Sequence, residues 1–334
     1  MRATQQIKNV LREVLRLQPP EQALVIFDTQ APLARLLTSI YRDALPEGVF
    51  VDFDSLSSAE VMDLIQGLKP HDLVVMVQST NFRLNEFRIR IELFKRELKT
   101  IEHLHLERMD ASQFDTYFES LAYDPAYYRT FGPKLKADLD RAQRVVVECE
   151  GTELIYSGGL EEAKVNIGDY TGMKNVGGTF PIGEVFTEAK ELRLVNGQAK
   201  IFAFAGDDHR VRMFEPFLVN VHEGILTAAT DAPPEFQSIL EKIRLDEEVW
   251  VRELGFGMNP ALDKQHPLND ITAFERQRGV HLSLGAKHGL YPKPGLNRKD
   301  GRYHVDVFVD VKRVLVDDAV VFQNGRYYET GLTT

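Results

Sequence analysis

The chain reads as an α/β N-terminal domain with a mostly parallel, doubly wound sheet, followed by a β-rich α+β domain. Three observations carry that expectation. Short apolar runs alternate with amphipathic segments of helical length through the first third of the chain. Beyond residue 143 glycines become dense, and short strands separated by turns outnumber helices. At 334 residues the chain is longer than a single hydrophobic core ordinarily grows. A boundary near residue 143 follows, giving domains 1–143 and 144–334.

Taken in order, Ile7, Val10, Leu11, Val14 and Leu15 recur at helical spacing and predict an opening helix over 5–17, stopped by Pro19 and Pro20. ALVIFD (23–28), GVFVDFD (48–54), DLVVMVQ (72–78) and TIEHLHLE (100–107) read as strands. Helices are expected at 31–45, at 58–68 with Ser58 as N-cap, at roughly 82–98, and near 111–121. No Gly-x-Gly-x-x-Gly and no phosphate-binding loop follows any strand. His103 and His105 read as edge-strand residues, and Arg83, Arg88 and Arg90 as the solvated face of a helix or, alternatively, a lining for a substrate carboxylate. A connecting helix is expected over 124–143 and a hairpin over 145–158. The one clear helix after that is PEFQSILEKIR (234–244), set among strands such as ELRLVNG, KIFAFAG, GILTAAT, EVWVREL, VHLSLG and AVVFQNG.

Composition excludes several classes. Apolar residues make up 43% of the chain, ample for packed cores. A formal charge of −10 without basic runs argues against a nucleic-acid surface. A single cysteine, Cys149, rules out an internal disulfide and a thiolate-rich zinc site. It lies in VVVECEG between glutamates, where a thiolate is disfavoured. No window has the apolar run of a signal peptide or a membrane span, so a cytoplasmic protein without membrane contacts is expected.

The chemistry gathers in the second half. His281, His288 and His304 are three of the nine histidines. From Tyr303 to Val311 residues alternate, with Val305, Val307, Val309 and Val311 on one side and His304, Asp306, Phe308 and Asp310 on the other. An imidazole and a carboxylate two apart on a strand lie on one face, roughly 7 Å apart at the backbone, and both can converge on one ion. A half-exposed strand shows the same pattern. Glu253 shares a parity with Val249 and Val251, which places a carboxylate on an apolar face, rare unless it is paired, protonated or on a metal. Glu184, after a proline and a glycine, and Glu275, six residues before His281, read equally well as surface charge.

The shared order of GTELIYSGG, FPIGEVFTEA, ELGFGMNP, GVHLSLG, GLNRKDGRYHVD and VDDAVVFQNGRY resembles the aminopeptidase T family of metallopeptidases. The match covers most of residues 151–327, and the N-terminal half is similar only in its α/β texture. The resemblance implies a C-terminal domain bearing a pair of divalent metals, a homodimer, and release of N-terminal residues from peptides through a metal-activated water. It implies Glu184, Glu253, His281, His304 and Asp306 as metal ligands. The family's further ligand glutamate has Glu275 one residue out of step with it. The family's tyrosine, seven residues after the histidine, is replaced by His288, with Tyr291 three residues later. One metal or two is therefore open, and Glu184, His288 and Tyr291 are the catalytic candidates. A set of carboxylates and imidazoles suits zinc, cobalt or manganese, with a small peptide or other small molecule as substrate. The final His-x-Asp and the motif around Glu253 also resemble the Fe(II)-dependent dihydroxypyridine dioxygenases. Those carry a histidine where this chain has Glu253, and His281 is the nitrogen available to replace it. A non-catalytic member of the same scaffold is the third reading.

Overall fold

A computed structural model describes residues 2–84, 87–296 and 301–328. Residues 297–300 of GLNRKDGRYHVD, residues 85–86, and the Arg88 side chain lie outside the described set. The architecture is mixed α/β, with a parallel sheet carrying helices and a large antiparallel sheet. Two compact units emerge. One comprises Met1–Tyr128, Asn166–Ile182 and Gln265–Ala273, and the other Arg129–Val165, Gly183–Lys264 and Phe274–Thr334.

The first unit is built on β1 (Ala23–Phe27), β2 (Val49–Asp52), β3 (Leu73–Val77) and β6 (Lys99–His103), with the two-residue strands β4 (Arg83–Leu84) and β5 (Phe87–Arg88) forming a separate ribbon. A fifth strand, β10 (Gly177–Phe180), arrives after β7 (Arg144–Cys149), β8 (Thr152–Ser157) and β9 (Lys164–Asn166). The sheet order is β10-β6-β3-β1-β2, and every pair in it is parallel. Leu24, Ile26, Val74 and Met76 face a cluster with Val61 and Ile65 of α3 (Ser58–Gln66) and Ile89 and Leu93 of α4 (Ile89–Lys95). Alternation sends Val25, Phe27, Val75 and Val77 to the other face. There α2 (Pro32–Ala44) lies, and α1 (Arg2–Asn9) packs on α2. The opening segment forms as expected except that Val10–Val14 winds into a π-helical turn, with all five of its apolar residues buried.

Five expectations need correction. The helix over 82–98 shrinks to α4. Phe82 stacks on Phe53 at 4.1 Å, and its N–H donates to Gln78 Oε1 (2.7 Å), which holds the backbone off a helical path until Ile89. Arg83 is exposed, while Arg90 pairs with Glu102 (2.6 Å) and Thr179 (2.7 Å). The cap of α3 is Ser57, in a reciprocal box with Glu60, because Glu60 stands three residues after Ser57. The strand from Lys99 ends at His103, with His105 turned into a left-handed conformation. His103 is not at an edge, since β10 pairs beyond β6. It is fully buried, its Nε2 2.8 Å from the Tyr41 hydroxyl and its Nδ1 2.8 Å from that of Tyr117. Burial pushes its pKa down to about 3.

The second unit carries the antiparallel sheet. Its path runs β20-β19-β18-β7-β8-β12-β17-β16-β15-β11-β9, with β13 and β14 branching from β12. In chain order the strands are β11 (Glu184–Glu188), β12 (Val195–Ala205), β13 (Val211–His222), β14 (Ile225–Thr230), β15 (Val251–Gly257), β16 (Gly279–Leu284), β17 (Val305–Val309), β18 (Arg313–Val316), β19 (Ala319–Gln323) and β20 (Arg326–Tyr327). The β13 strand escapes a sequence reading because Pro216 interrupts it. The register with β12 jumps from Ala203↔Met213 to Ile201↔Phe217, so the proline sits in a bulge, where a missing N–H costs no ladder bond. After α5 (Phe114–Ser120) and α6 (Pro125–Arg141) comes α7 (Pro234–Arg244), whose Phe236 packs against Phe204 and Phe217. Cys149 is buried and its thiol pKa is raised by burial, as expected for an idle cysteine. Among the described residues no helix is long and apolar enough to cross a membrane.

Candidate metal centre

Four neighbouring strands, β11, β15, β16 and β17, bring the site together. The β11–β15 register sets Glu184 opposite Gly257 and Glu188 opposite Glu253. Across β15–β16, Gly255 stands opposite His281, and across β16–β17, Ser283 stands opposite Asp306. Residues paired across antiparallel strands share a face, so one face collects Glu184, Glu253, His281 and Asp306. Gly255 is required by close approach, because a Cβ there would overlap the His281 ring. Ser283 Oγ accepts the Glu253 N–H at 3.0 Å, fixing the backbone from which that carboxylate projects.

Glu184, Glu253 and His281 converge. His281 Nε2 lies 3.3 Å from Glu184 Oε1 and 3.3 Å from Glu253 Oε1, and one ligand atom from each of the three lies within 4.8 Å of the others. All three residues are buried. The second oxygen of Glu253 is 3.1 Å from His288 Nε2. His288 Nδ1 accepts the N–H groups of Leu290 (3.2 Å) and Tyr291 (3.4 Å), which turns Nε2 toward Glu253. Tyr291 packs on His288 with centroids 5.1 Å apart, but its hydroxyl donates to Glu162 O at 2.8 Å.

His304 and Asp306 form the adjoining pair. His304 Nε2 is 3.1 Å from Asp306 Oδ1, and His304 Nδ1 donates to Lys287 O at 3.0 Å. A backbone carbonyl on one ring nitrogen leaves the other lone pair free to ligate. The His304 and His288 rings stand 5.9 Å apart. Glu275 is half-buried after α8 (Ile271–Phe274) and outside the converging triad; its carboxylate meets Arg276 Nη1 at 3.0 Å.

The charged groups of this face shift one another's protonation. Burial alone raises the Glu253 carboxyl and lowers the His281 imidazole. Their mutual hydrogen bonds, with those from His288 and Glu184, outweigh it. Glu253 ends below the ordinary carboxylate range and His281 is pushed up to about 10. Burial also lowers His304, and the Asp306 carboxylate more than offsets it. Glu275 is raised well above its usual value by burial, then by Asp306 and Glu184. A buried imidazole held protonated by two carboxylates marks a place where a divalent ion fits the donors.

No protein family's sequence profile matches the chain, and no curated protein matches it by sequence. Solved structures do. 2,5-Dihydroxypyridine dioxygenase from Pseudomonas putida is 14% identical, with 98% of this chain and 96% of that chain covered and a TM-score of 0.65. AmpT from Thermus thermophilus is 13% identical, with 98% of each chain covered and a TM-score of 0.59. The likeness is one of fold. It spans both units, including the N-terminal half where sequence alone gave only an α/β texture.

Charged residues absent from the sequence reading surround this face. Arg276, buried, places Nη1 2.6 Å from Glu184 Oε2 and 3.0 Å from Glu275 Oε2. Arg252, next to Glu253, pairs with the fully buried Glu188 and donates to Ala286 O (2.6 Å) and Tyr291 O (2.8 Å). Lys293 closes the cluster on Glu161 (2.6 Å) and Glu188 (3.4 Å). Of these, Glu188 left a readable signal: it shares a parity with Glu184 on a strand. Arg252 and Arg276 left none, since each sits in an ordinary mixed run.

Proposed function

We propose that the chain is a metal-dependent hydrolase that releases N-terminal residues from short peptides. The observation that carries this reading is the convergence of two buried glutamates, Glu184 and Glu253, on His281 Nε2. A core in which carboxylates outnumber imidazoles suits zinc, cobalt or manganese better than a site tuned for dioxygen. Such an ion would polarise a carbonyl and lower the pKa of a water. His304 and Asp306 flank the triad and are proposed to complete the ligand set. His288, whose Nε2 lies 3.1 Å from Glu253 Oε2, is placed to orient that carboxylate. Glu184 has both oxygens engaged, by His281 and Arg276, and serves better as ligand than as base. A homodimer belongs to the same proposal, checked by light scattering.

The test is release of free amino acid from a dipeptide panel by protein loaded with cobalt, zinc or manganese. Intact dipeptides with every metal would sink the reading. A second reading is favoured by one observation, the His304–Asp306 pair, an imidazole nitrogen and a carboxylate oxygen 3.1 Å apart of the kind that contributes to Fe(II) sites in oxygenases. It expects oxygen uptake with Fe(II) and 2,5-dihydroxypyridine, and none with the hydrolase metals.

A further inference from the structure

We propose that Arg276 takes the place of a second divalent cation, so that this centre holds one metal ion. The inference rests on the metal-dependent reading above and specifies its stoichiometry. A pair of divalent ions needs carboxylates to share between them. Here one nitrogen of a buried guanidinium, Arg276 Nη1, contacts both Glu184 Oε2 (2.6 Å) and Glu275 Oε2 (3.0 Å). It neutralises the two from a single point, as an ion would. The arginine is fixed there by its own backbone, whose carbonyl accepts the Asn259 N–H at 2.9 Å, and its side chain is 6% exposed. With Glu275 committed to it, the carboxylate oxygens left facing His281 and His288 are Glu184 Oε1 and both oxygens of Glu253. Together with Asp306, whose Oδ1 faces His304 Nε2 at 3.1 Å, those are the donors of one site. A guanidinium is always charged and cannot ligate, so it supplies fixed positive charge where a second ion would supply an exchangeable one.

The experiment is metal titration of the full chain with Zn(II) and with Mn(II), read by calorimetry and by elemental analysis after gel filtration. Wild type is expected to take up one equivalent. Glu275→Gln, which keeps the shape and leaves Arg276 on Glu184, is expected to retain one equivalent with affinity changed by less than about tenfold, the lower bound for loss of a group that supports a ligand. Arg276→Glu is expected to gain a second equivalent. Two equivalents in wild type, loss of the metal in Glu275→Gln, or one equivalent in folded Arg276→Glu would each overturn the proposal. The first two comparisons stand even if Arg276→Glu does not fold. No metal in wild type would instead remove the hydrolase reading, and this inference with it.

Discussion

His103 is fully buried between two tyrosine hydroxyls, and that sets its behaviour in acid. In the unfolded chain it takes a proton below its ordinary 6.5; in the fold it resists until about 3. The unfolded state therefore binds more protons between those values. The contribution is full above about 6.5 and is lost as pH falls through the window, at up to about 1.4 kcal/mol per pH unit. His103→Gln keeps hydrogen-bonding atoms and does not titrate. Urea midpoints across that range are expected to fall less steeply in this variant than in wild type. At the metal face, His288→Ala is expected to lower activity or calorimetric metal affinity by about 10–100-fold, as for loss of a group that orients a ligand. Outright loss of metal would instead move His288 into the ligand set. His304 and Asp306 were readable as a pair from alternation alone, because a period of two needs no tertiary knowledge. That Glu253 would meet His281 was not, since it depends on the β15–β16 register that sets Gly255 opposite His281.

Elements position these groups through buried ion pairs. The β15 strand carries Glu253 toward the site and Arg252 toward Glu188, and Arg252 also holds the Ala286–Tyr291 loop on which His288 rides. Arg252→Met or Glu188→Leu alone is expected to cost about 3–5 kcal/mol, because each strips a buried charge of its nearest partner; the double change is expected to cost less than either. Urea denaturation of the three variants decides it, and additive losses would contradict the pairing. Gly255→Ala is a second element-scale test. It forces the His281 ring aside, and metal affinity is expected to drop about tenfold or more, with β15 still paired. Most elements of the first unit were legible because each is a local signal: an apolar run, a proline stop, a cap. The 82–98 segment was not, because its aromatic spacing imitates a helix while Phe82 is committed to Phe53.

Across the whole molecule, a site that gathers four carboxylates ties metal uptake to folding. A metal that binds only the folded chain, supplied at a hundred times its Kd, is expected to stabilise it by about 2.7 kcal/mol. Thermal melts with metal against chelator check this, and coincident melts would argue against a folded-state site. The chain's formal charge of −10 adds to the pull on cations at low ionic strength. The strand β10 has a different consequence, for synthesis. It closes the β6 edge of the parallel sheet from far down the chain, so a ribosome must deliver Phe180 before that edge has its partner. Until then Lys99–His103 offers open backbone donors and acceptors beside an apolar layer, the kind of edge that recruits other chains. A nascent chain arrested before Gly177 is expected to lean on chaperones, and one arrested after Ile182 to do so less.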